Sequence, residues 1–339
     1  MNDLAAAQAQ YCQAASPENS MKTALICGIG GQDGGYLGAL LLEKGYRVFG
    51  TSRDAHSNGF ENLRRLGIQD RVTVITMAPD DFRSVLGAVV QSEATEIYAL
   101  AGQSSVGLSF ELPVETLQSI VFGALNLLEA IRFTGRPIKL YHAGSSECFG
   151  DLNGQRATEA TPFRPRSPYG VAKTSAHLLV ANYREAYGIF ACTGILFNHE
   201  SPHRPRRFVT SKIAAAARRI AAGDQVPLTL GRLDIVRDWG WAPEFVDAMW
   251  RMLQQEVPDD YIVATGQSHS LEEFVAAAFD AVGLDWRDHV RTDPGFIRPT
   301  DLAWSAADPS HAADRLGWRA QTMMPEVARR MVEAAELSA

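Results

Sequence analysis

Cysteine is scarce in this chain. The four, Cys12, Cys27, Cys148 and Cys192 among 339 residues, stand too far apart for a disulfide framework or a zinc knuckle, which suits a reducing cytoplasm. Basic clusters are also missing, and the net charge is -7, so no general affinity for nucleic acid or an anionic membrane is expected. An anionic ligand has to be met by local arginines. No apolar run approaches the roughly 18 residues of a membrane span. Residues 1–20 are rich in Ala and Gln and end in Pro17-Glu18-Asn19-Ser20. Without a basic start and an apolar middle they do not read as a signal peptide but as a disordered or loosely held extension. Internal repeats and low-complexity segments are absent. What remains, 46% hydrophobic and 21% charged, can bury a substantial core in one large or two intimate domains.

The apolar run 23–27 ends in Gly28-Ile29-Gly30-Gly31-Gln32-Asp33-Gly34-Gly35. Glycines 28, 31 and 34, after a strand and before a helix at 36–44, let the backbone turn sharply and approach a pyrophosphate on the helix N-terminus. A second strand, 46–51, leads to Arg53 and Asp54. Arginine at that strand end suits a 2′-phosphate and an acidic residue suits a free 2′-hydroxyl, so Arg53 favours NADP while Asp54 keeps NAD open. Strands at 72–76, 96–100, 138–142 and 190–197 alternate with helical patterns at 81–91 and 113–133. The pattern predicts an α/β protein with a Rossmann-like, doubly wound parallel sheet over residues 21–198. Residues 199–339 read mainly as a smaller, interleaved C-terminal substrate domain. It has helices at 209–222, 243–255, 270–282 and 324–337, and strands at 235–239 and 261–263 able to return to the sheet.

Tyr169 and Lys173 are four residues apart, on one face of a predicted helix. An ammonium beside a phenol lowers its pKa, and the phenolate is then a base for a sugar hydroxyl. The fifth strand leads into Ser145-Ser146-Glu147 at the carboxyl edge of the sheet, where open α/β folds bind ligands. Serine there can hold the hydroxyl that Tyr169 deprotonates. A carboxylate such as Glu147 can remove a proton acidified by a neighbouring ketone, which simple alcohol dehydrogenation does not need. His199-Glu200-Ser201-Pro202-His203 spells HExxH, yet that zinc motif needs an unbroken helix and Pro202 interrupts it. No metal site is therefore expected, and the stretch is read as hydrogen bonding around a sugar pocket. Arg204, Arg206 and Arg207 either add to the grip on phosphate oxygens or, as a cluster in a polar loop, face solvent, which is the favoured reading.

Gly28-x-x-Gly31-x-x-Gly34, Ser145 and Tyr169-x-x-x-Lys173 together resemble the extended short-chain dehydrogenase/reductases that act on nucleotide sugars. Gly31-Gln32-Asp33-Gly34, Gln103-Ser104, Asn198-His199-Glu200-Ser201-Pro202, Arg237-Asp238-Trp239-Gly240 and Arg298-Pro299-Thr300 resemble the GDP-mannose 4,6-dehydratase family in particular, over about residues 22–320. The resemblance implies a soluble, cytoplasmic hydro-lyase with a GDP-sugar substrate, an NADP cofactor and a homodimeric or homotetrameric assembly. It implies Ser145, Glu147, Tyr169 and Lys173 as the catalytic group. Gly28, Gly31, Gln32, Asp33, Gly34, Arg53, Leu100 and Ala101, with Tyr169 and Lys173, would hold the cofactor. Gln103, Ser104, Ser146, Asn198, Lys212, Arg237, Arg298 and Asp301 would hold the nucleotide sugar.

The departures are specific. The segment after the second strand is shorter than in the family and lacks its second arginine, which bears on NADP preference and tetramer assembly. Met77-Ala78-Pro79 replaces a Gly-Asp-Leu whose aspartate contacts adenine, leaving Asp80 or Asp81 as substitutes if the loop shifts. Ser145 stands for threonine and Asp301 for glutamate. A GDP-heptose dehydratase, a GDP-sugar reductase or epimerase, and a catalytically silent nucleotide-sugar sensor are the other readings. Glu147 separates the dehydratase from the reductase.

Overall fold

The structure is a computed structural model that describes residues 21–56, 59–296 and 300–335. The expectations for residues 1–20 and for Arg298 therefore lie outside the described residues.

Seven parallel strands form the main sheet in the order β10-β6-β5-β4-β1-β2-β3. They are β1 (Thr23–Cys27), β2 (Arg47–Ser52), β3 (Val72–Thr76), β4 (Glu96–Ala99), β5 (Lys139–Ala143), β6 (Ala191–Leu196) and β10 (Tyr261–Val263). Strands β1, β4 and β6 are covered on both faces, hence their nearly continuous burial and mainly apolar sequences. On one face lie α1 (Gln32–Glu43) and α6 (Ala242–Leu253), packed through Leu37, Leu41, Phe245 and Met249. On the other lie α2 (Phe82–Ser92), α3 (Gly123–Thr134) and α4 (Pro168–Tyr187), through Val85, Val89, Leu128, Ile131, Val180 and Tyr183. The strand order reverses between β1 and β4, so the crevice above their carboxyl ends is where such sheets bind ligands.

The stretch Pro113–Thr134 corrects one expectation. It is a continuous helical segment, with a π turn at Gln118–Phe122, long and apolar enough by length and composition to cross a membrane. Here it packs against α2 and α4, and its Glu129 accepts hydrogen bonds from Arg132 and from Tyr183 of α4.

Beyond β6, a second core gathers α5 (Val209–Ala221), α7 (Leu271–Asp280) and α8 (Met324–Ala334) around Trp239. The two expected late strands divide. β10 joins the main sheet beside β6, as expected, whereas β9 (Val236–Trp241) does not. It forms a separate three-stranded sheet with β7 (Asn198–Glu200) and β11 (Ser268–Ser270). Asp238 decides this, because its carboxylate accepts the Thr265 and Gly266 amides at 2.9 and 2.8 Å and ties β9 to the turn leading into β11.

Candidate active site

The glycines shape the β1–α1 loop. Gly28 has φ +91°, and a Cβ built on Gly34 would lie 2.3 Å from the Gly28 carbonyl oxygen. Only glycine allows that turn. No side chain caps α1, whose N-cap is Gly31, so its first amides and the helix dipole suit an anion. Leu100 and Ala101 close the other wall: the Leu100 amide donates to the Cys27 carbonyl at 3.0 Å, and Ala101 N lies 3.0 Å from where a Gly28 Cβ would stand. This cradle fits a dinucleotide pyrophosphate.

Asp33 and Gln32 of that loop face the protein. Asp33 Oδ2 is 3.0 Å from His199 Nε2, while Oδ1 accepts the Gln32 amide at 3.0 Å. Gln32 also donates to the His199 carbonyl at 3.2 Å and accepts from the Ser201 hydroxyl at 2.8 Å. The His199 ring is stacked on Phe245, with its Nδ1 2.7 Å from the Phe197 carbonyl. Burial works against charge on both groups, but the mutual attraction wins: His199 is raised above its ordinary pKa and Asp33 held below its own. The two residues of this pin are 166 positions apart, and no sequence signal joins them.

At the β2 end Arg53 is 77% exposed and 3.7 Å from Glu115. Asp81 is occupied elsewhere, as the N-cap of α2 accepting from Arg83 and Ser84 amides. It is not free for an adenine in this arrangement.

The catalytic candidates converge through backbone contacts. Ser167 caps α4 by accepting from the Gly170 amide at 3.0 Å, with Pro168 in the first turn. A Cβ on Gly170 would lie 2.8 Å from the Glu147 carbonyl oxygen. The lack of a side chain there lets the Ser146–Cys148 turn seat on the first turn of α4, beside Tyr169. Ser145 joins both parts, since its hydroxyl accepts from the Glu147 amide at 3.3 Å and hydrogen-bonds Tyr169. Ser145, Ser146, Tyr169 and Lys173 are all buried.

Lys173 departs from the expected arrangement. Its Nζ donates to the Ala143 carbonyl at 2.8 Å and stands 5.7 Å from the Tyr169 ring centre. Burial pushes the Tyr169 phenol above its ordinary value, with the Ser145 hydrogen bond as the main opposing contact. Lys173 does not lower it. Burial instead brings Lys173 itself down to about 8, because an ammonium loses its hydration there.

The substrate candidates separate into groups. Arg237 is buried, with Nη1 donating to the Val236 carbonyl and Nη2 to the Leu302 carbonyl, both at 2.8 Å, and Asp301 3.9 Å away. Asn198 stands opposite Trp239 in the β7–β9 register. Gln103 is held in its own loop, binding the Ser105 backbone at both ends of its amide and Thr116 Oγ1 at 3.2 Å. Ser104 and Lys212 are exposed. Arg206 and Arg207 are exposed as expected, but Arg204 is turned inward. Its Nε is 3.1 Å from Glu200, its guanidinium lies 3.8 Å over the Phe208 ring, and its charge acts on both Tyr169 and Asp33. Reading the arginine cluster as loop missed this, because the partner Glu200 sits inside the broken HExxH string. That string is a strand followed by a turn, and its histidines part: His199 goes to Asp33, and His203 stacks on Tyr36 at 4.7 Å.

The profile of the family described as GDP-mannose 4,6 dehydratase matches residues 25–331. GDP-mannose 4,6 dehydratase 1 of Arabidopsis thaliana is 45% identical, over 92% of this chain and 89% of its own. The Homo sapiens GDP-mannose 4,6 dehydratase is 39% identical, over 92% and 90%. Among solved structures, the Thermus thermophilus UDP-glucose 4-epimerase complex with NAD superposes with a TM-score of 0.81 at 27% identity, covering 92% of this chain and 98% of that one. Fold, glycine cradle and sequence similarity agree: the chain belongs to the GDP-mannose 4,6 dehydratase family.

Proposed function

We propose that this protein is a hydro-lyase that converts GDP-mannose to GDP-4-keto-6-deoxy-mannose with a bound nicotinamide cofactor. The observation that carries the reading is the seating of Glu147 against the first turn of α4, with Ser145 bridging it to Tyr169. The turn that carries Glu147 is thereby held beside Tyr169, which supports a hydroxyl base and a carboxylate serving neighbouring carbons of a single sugar. The nicotinamide supplies the hydride acceptor for C4 and the hydride returned to C6.

Tyr169 takes the proton of the 4-hydroxyl while Ser145 holds that oxygen. Glu147 removes the C5 proton made acidic by the 4-ketone and passes it to the departing C6 hydroxyl, which leaves as water. Lys173 holds the cofactor's ribose and keeps positive charge near Tyr169. Arg237, fixed by two backbone carbonyls, and Arg298 grip the diphosphate, a task suited to a planar guanidinium. Asn198, Ser146, Gln103, Ser104, Lys212 and Asp301 border the nucleotide sugar.

NADP is the favoured cofactor, supported by the exposed Arg53 at the β2 end. Residues 21–198 form the cofactor part and 199–339 mainly the nucleotide-sugar part. The assembly is a homodimer or homotetramer, supported by exposed Val114, Phe122, Phe133, Val171 and Leu178 on neighbouring helices. The buried free thiols of Cys27, Cys148 and Cys192 support a cytoplasmic location.

Incubation with GDP-mannose and catalytic NADP+, followed by mass spectrometry, tests the reading. Loss of one water without net cofactor reduction supports it. An unchanged sugar, or a product formed only with stoichiometric NADPH, overturns it in favour of a reductase.

A further inference from the structure

Beneath the catalytic lysine lies a row of buried polar groups that the reaction as described does not use. His142 of β5 and Thr193 of β6 are direct neighbours in the parallel register, so their side chains share one face of the sheet. That face is the one covered by α4, because Leu140 and Ala191, two residues earlier on each strand, pack with Val180 and Tyr183. On α4 itself Lys173, His177, Val180 and Arg184 follow one another along a single helix face. His142 is 4% exposed and Thr193 is fully buried. Among the described residues, both ring nitrogens of His142, the Thr193 hydroxyl and His177 Nδ1 have no hydrogen-bond partner.

Buried polar atoms are nearly always paired, with protein or with ordered water. Four orphaned atoms in one row therefore call for internal water, and the row has two defined ends. At one end Lys173 Nζ reaches the Ala143 carbonyl, the residue after His142. At the other, His177 Nε2 is 3.8 Å from Asp260, whose carboxylate also accepts the Thr193 amide at 2.7 Å and both terminal nitrogens of Arg184. The charged groups that act on His142 are Lys173 and His177, and burial holds its imidazole neutral, with one donor and one acceptor nitrogen.

We infer that His142, with Thr193 and His177, forms a water-bridged proton relay that connects the Tyr169–Lys173 pair to the partly buried Asp260. The inference rests on the dehydratase reading. Tyr169 is buried as the neutral phenol, so as it accepts the 4-hydroxyl proton it hands its own to Lys173, and the Lys173 ammonium in the same step gives one to a nitrogen of His142, whose other nitrogen releases one toward His177 and Asp260. One proton leaves the C4 hydroxyl on this route, and one returns along it to C5 when the hydride has been delivered to C6. The relay therefore ends each turnover in its starting state, and no further reactant is consumed.

The test uses the full-length enzyme with GDP-mannose and NADP+. His142→Phe fills the site without a ring nitrogen, and Thr193→Val removes the hydroxyl at nearly constant shape. If the relay operates, both variants keep wild-type KM, while kcat for His142→Phe falls about ten-fold or more, less than for loss of a direct base. His142→Ala is then rescued by added imidazole, and the solvent deuterium isotope effect on kcat changes. Unaltered kcat, pH profile and isotope effect in folded His142→Phe and Thr193→Val overturn the relay while wild-type dehydration stands. Wild-type enzyme that yields no dehydrated product overturns the dehydratase reading instead. If His142→Phe fails to fold, Thr193→Val decides the matter by the same readouts.

Discussion

His199 Nε2 stands 3.0 Å from Asp33 Oδ2, so the glycine-rich cofactor loop is pinned to the strand that opens the second half of the chain. The pin explains why an acidic side chain is tolerated at a helix N-terminus that has to receive an anion: its carboxylate faces His199. Because the two residues are 166 positions apart in the chain, their pairing ties the position of the loop to that of β7.

The pin is strongest in mildly acidic solution. His199 is raised above its ordinary 6.5, so its contribution is complete below that value and fades as pH rises through the elevated pKa. Asp33 lies below its ordinary 3.8, so its contribution is complete above that value and fades as pH falls further. His199→Gln should lower stability by about 2 kcal/mol between these limits and by less at pH 8. Melting temperatures of both proteins measured from pH 4.5 to 8.5 check this, and a gap independent of pH contradicts it.

Lys173 gives the opposite slope. Its pKa falls from 10.5 unfolded to about 8 folded, so the unfolded chain holds more protons between these values and stability rises with pH across that window. Lys173→Met should abolish activity yet stabilise the fold at pH 7 by on the order of 1–3 kcal/mol, the gain disappearing above about pH 10.5. Urea melts at pH 7 and pH 10 decide it. A variant less stable at both values shows that the bond to the Ala143 carbonyl outweighs the cost of burying the charge.

In the proposed dehydration, Glu147 and Tyr169 divide the chemistry. Tyr169→Phe should stop ketone formation altogether. Glu147→Gln should still permit C4 oxidation but slow water loss by roughly 10²–10⁴-fold. Deuterium wash-in at C5, followed by mass spectrometry in heavy water, separates the steps, and undiminished exchange in Glu147→Gln removes that residue from the base role.

Gly34→Ala tests the cradle. The added methyl would stand 2.3 Å from the Gly28 carbonyl oxygen and 2.8 Å from Ile29 Cα, both backbone atoms that cannot swing aside. Stability should fall by roughly 1–3 kcal/mol, and NADPH affinity, followed by nicotinamide fluorescence, should drop far more than the affinity for GDP. Equal losses for both ligands would mean general unfolding rather than a damaged loop.

Much of the Rossmann half was legible before any coordinates. Apolar runs placed all seven main-sheet strands to within a residue or two, because a strand buried on both faces is mostly apolar. The Tyr169-x-x-x-Lys173 spacing and the glycine loop were readable for a similar reason, since helix pitch and backbone sterics act over a few residues. The second half was less legible. Its strands are three to six residues long, and their partners are chosen by contacts such as Asp238 with the 265–266 turn, which no local pattern announces.

Local spacing and composition thus determined the α/β class, the cofactor loop and the candidate catalytic side chains. Only the tertiary structure decided their protonation and their partners. It buried Tyr169 and Lys173 together, turned Asp33 to His199 and Arg204 to Glu200, and lined His142 and Thr193 beneath α4. The physical reason is range: propensity and periodicity act over one or two helical turns, whereas desolvation and charge pairing depend on whatever residues the folded chain brings alongside.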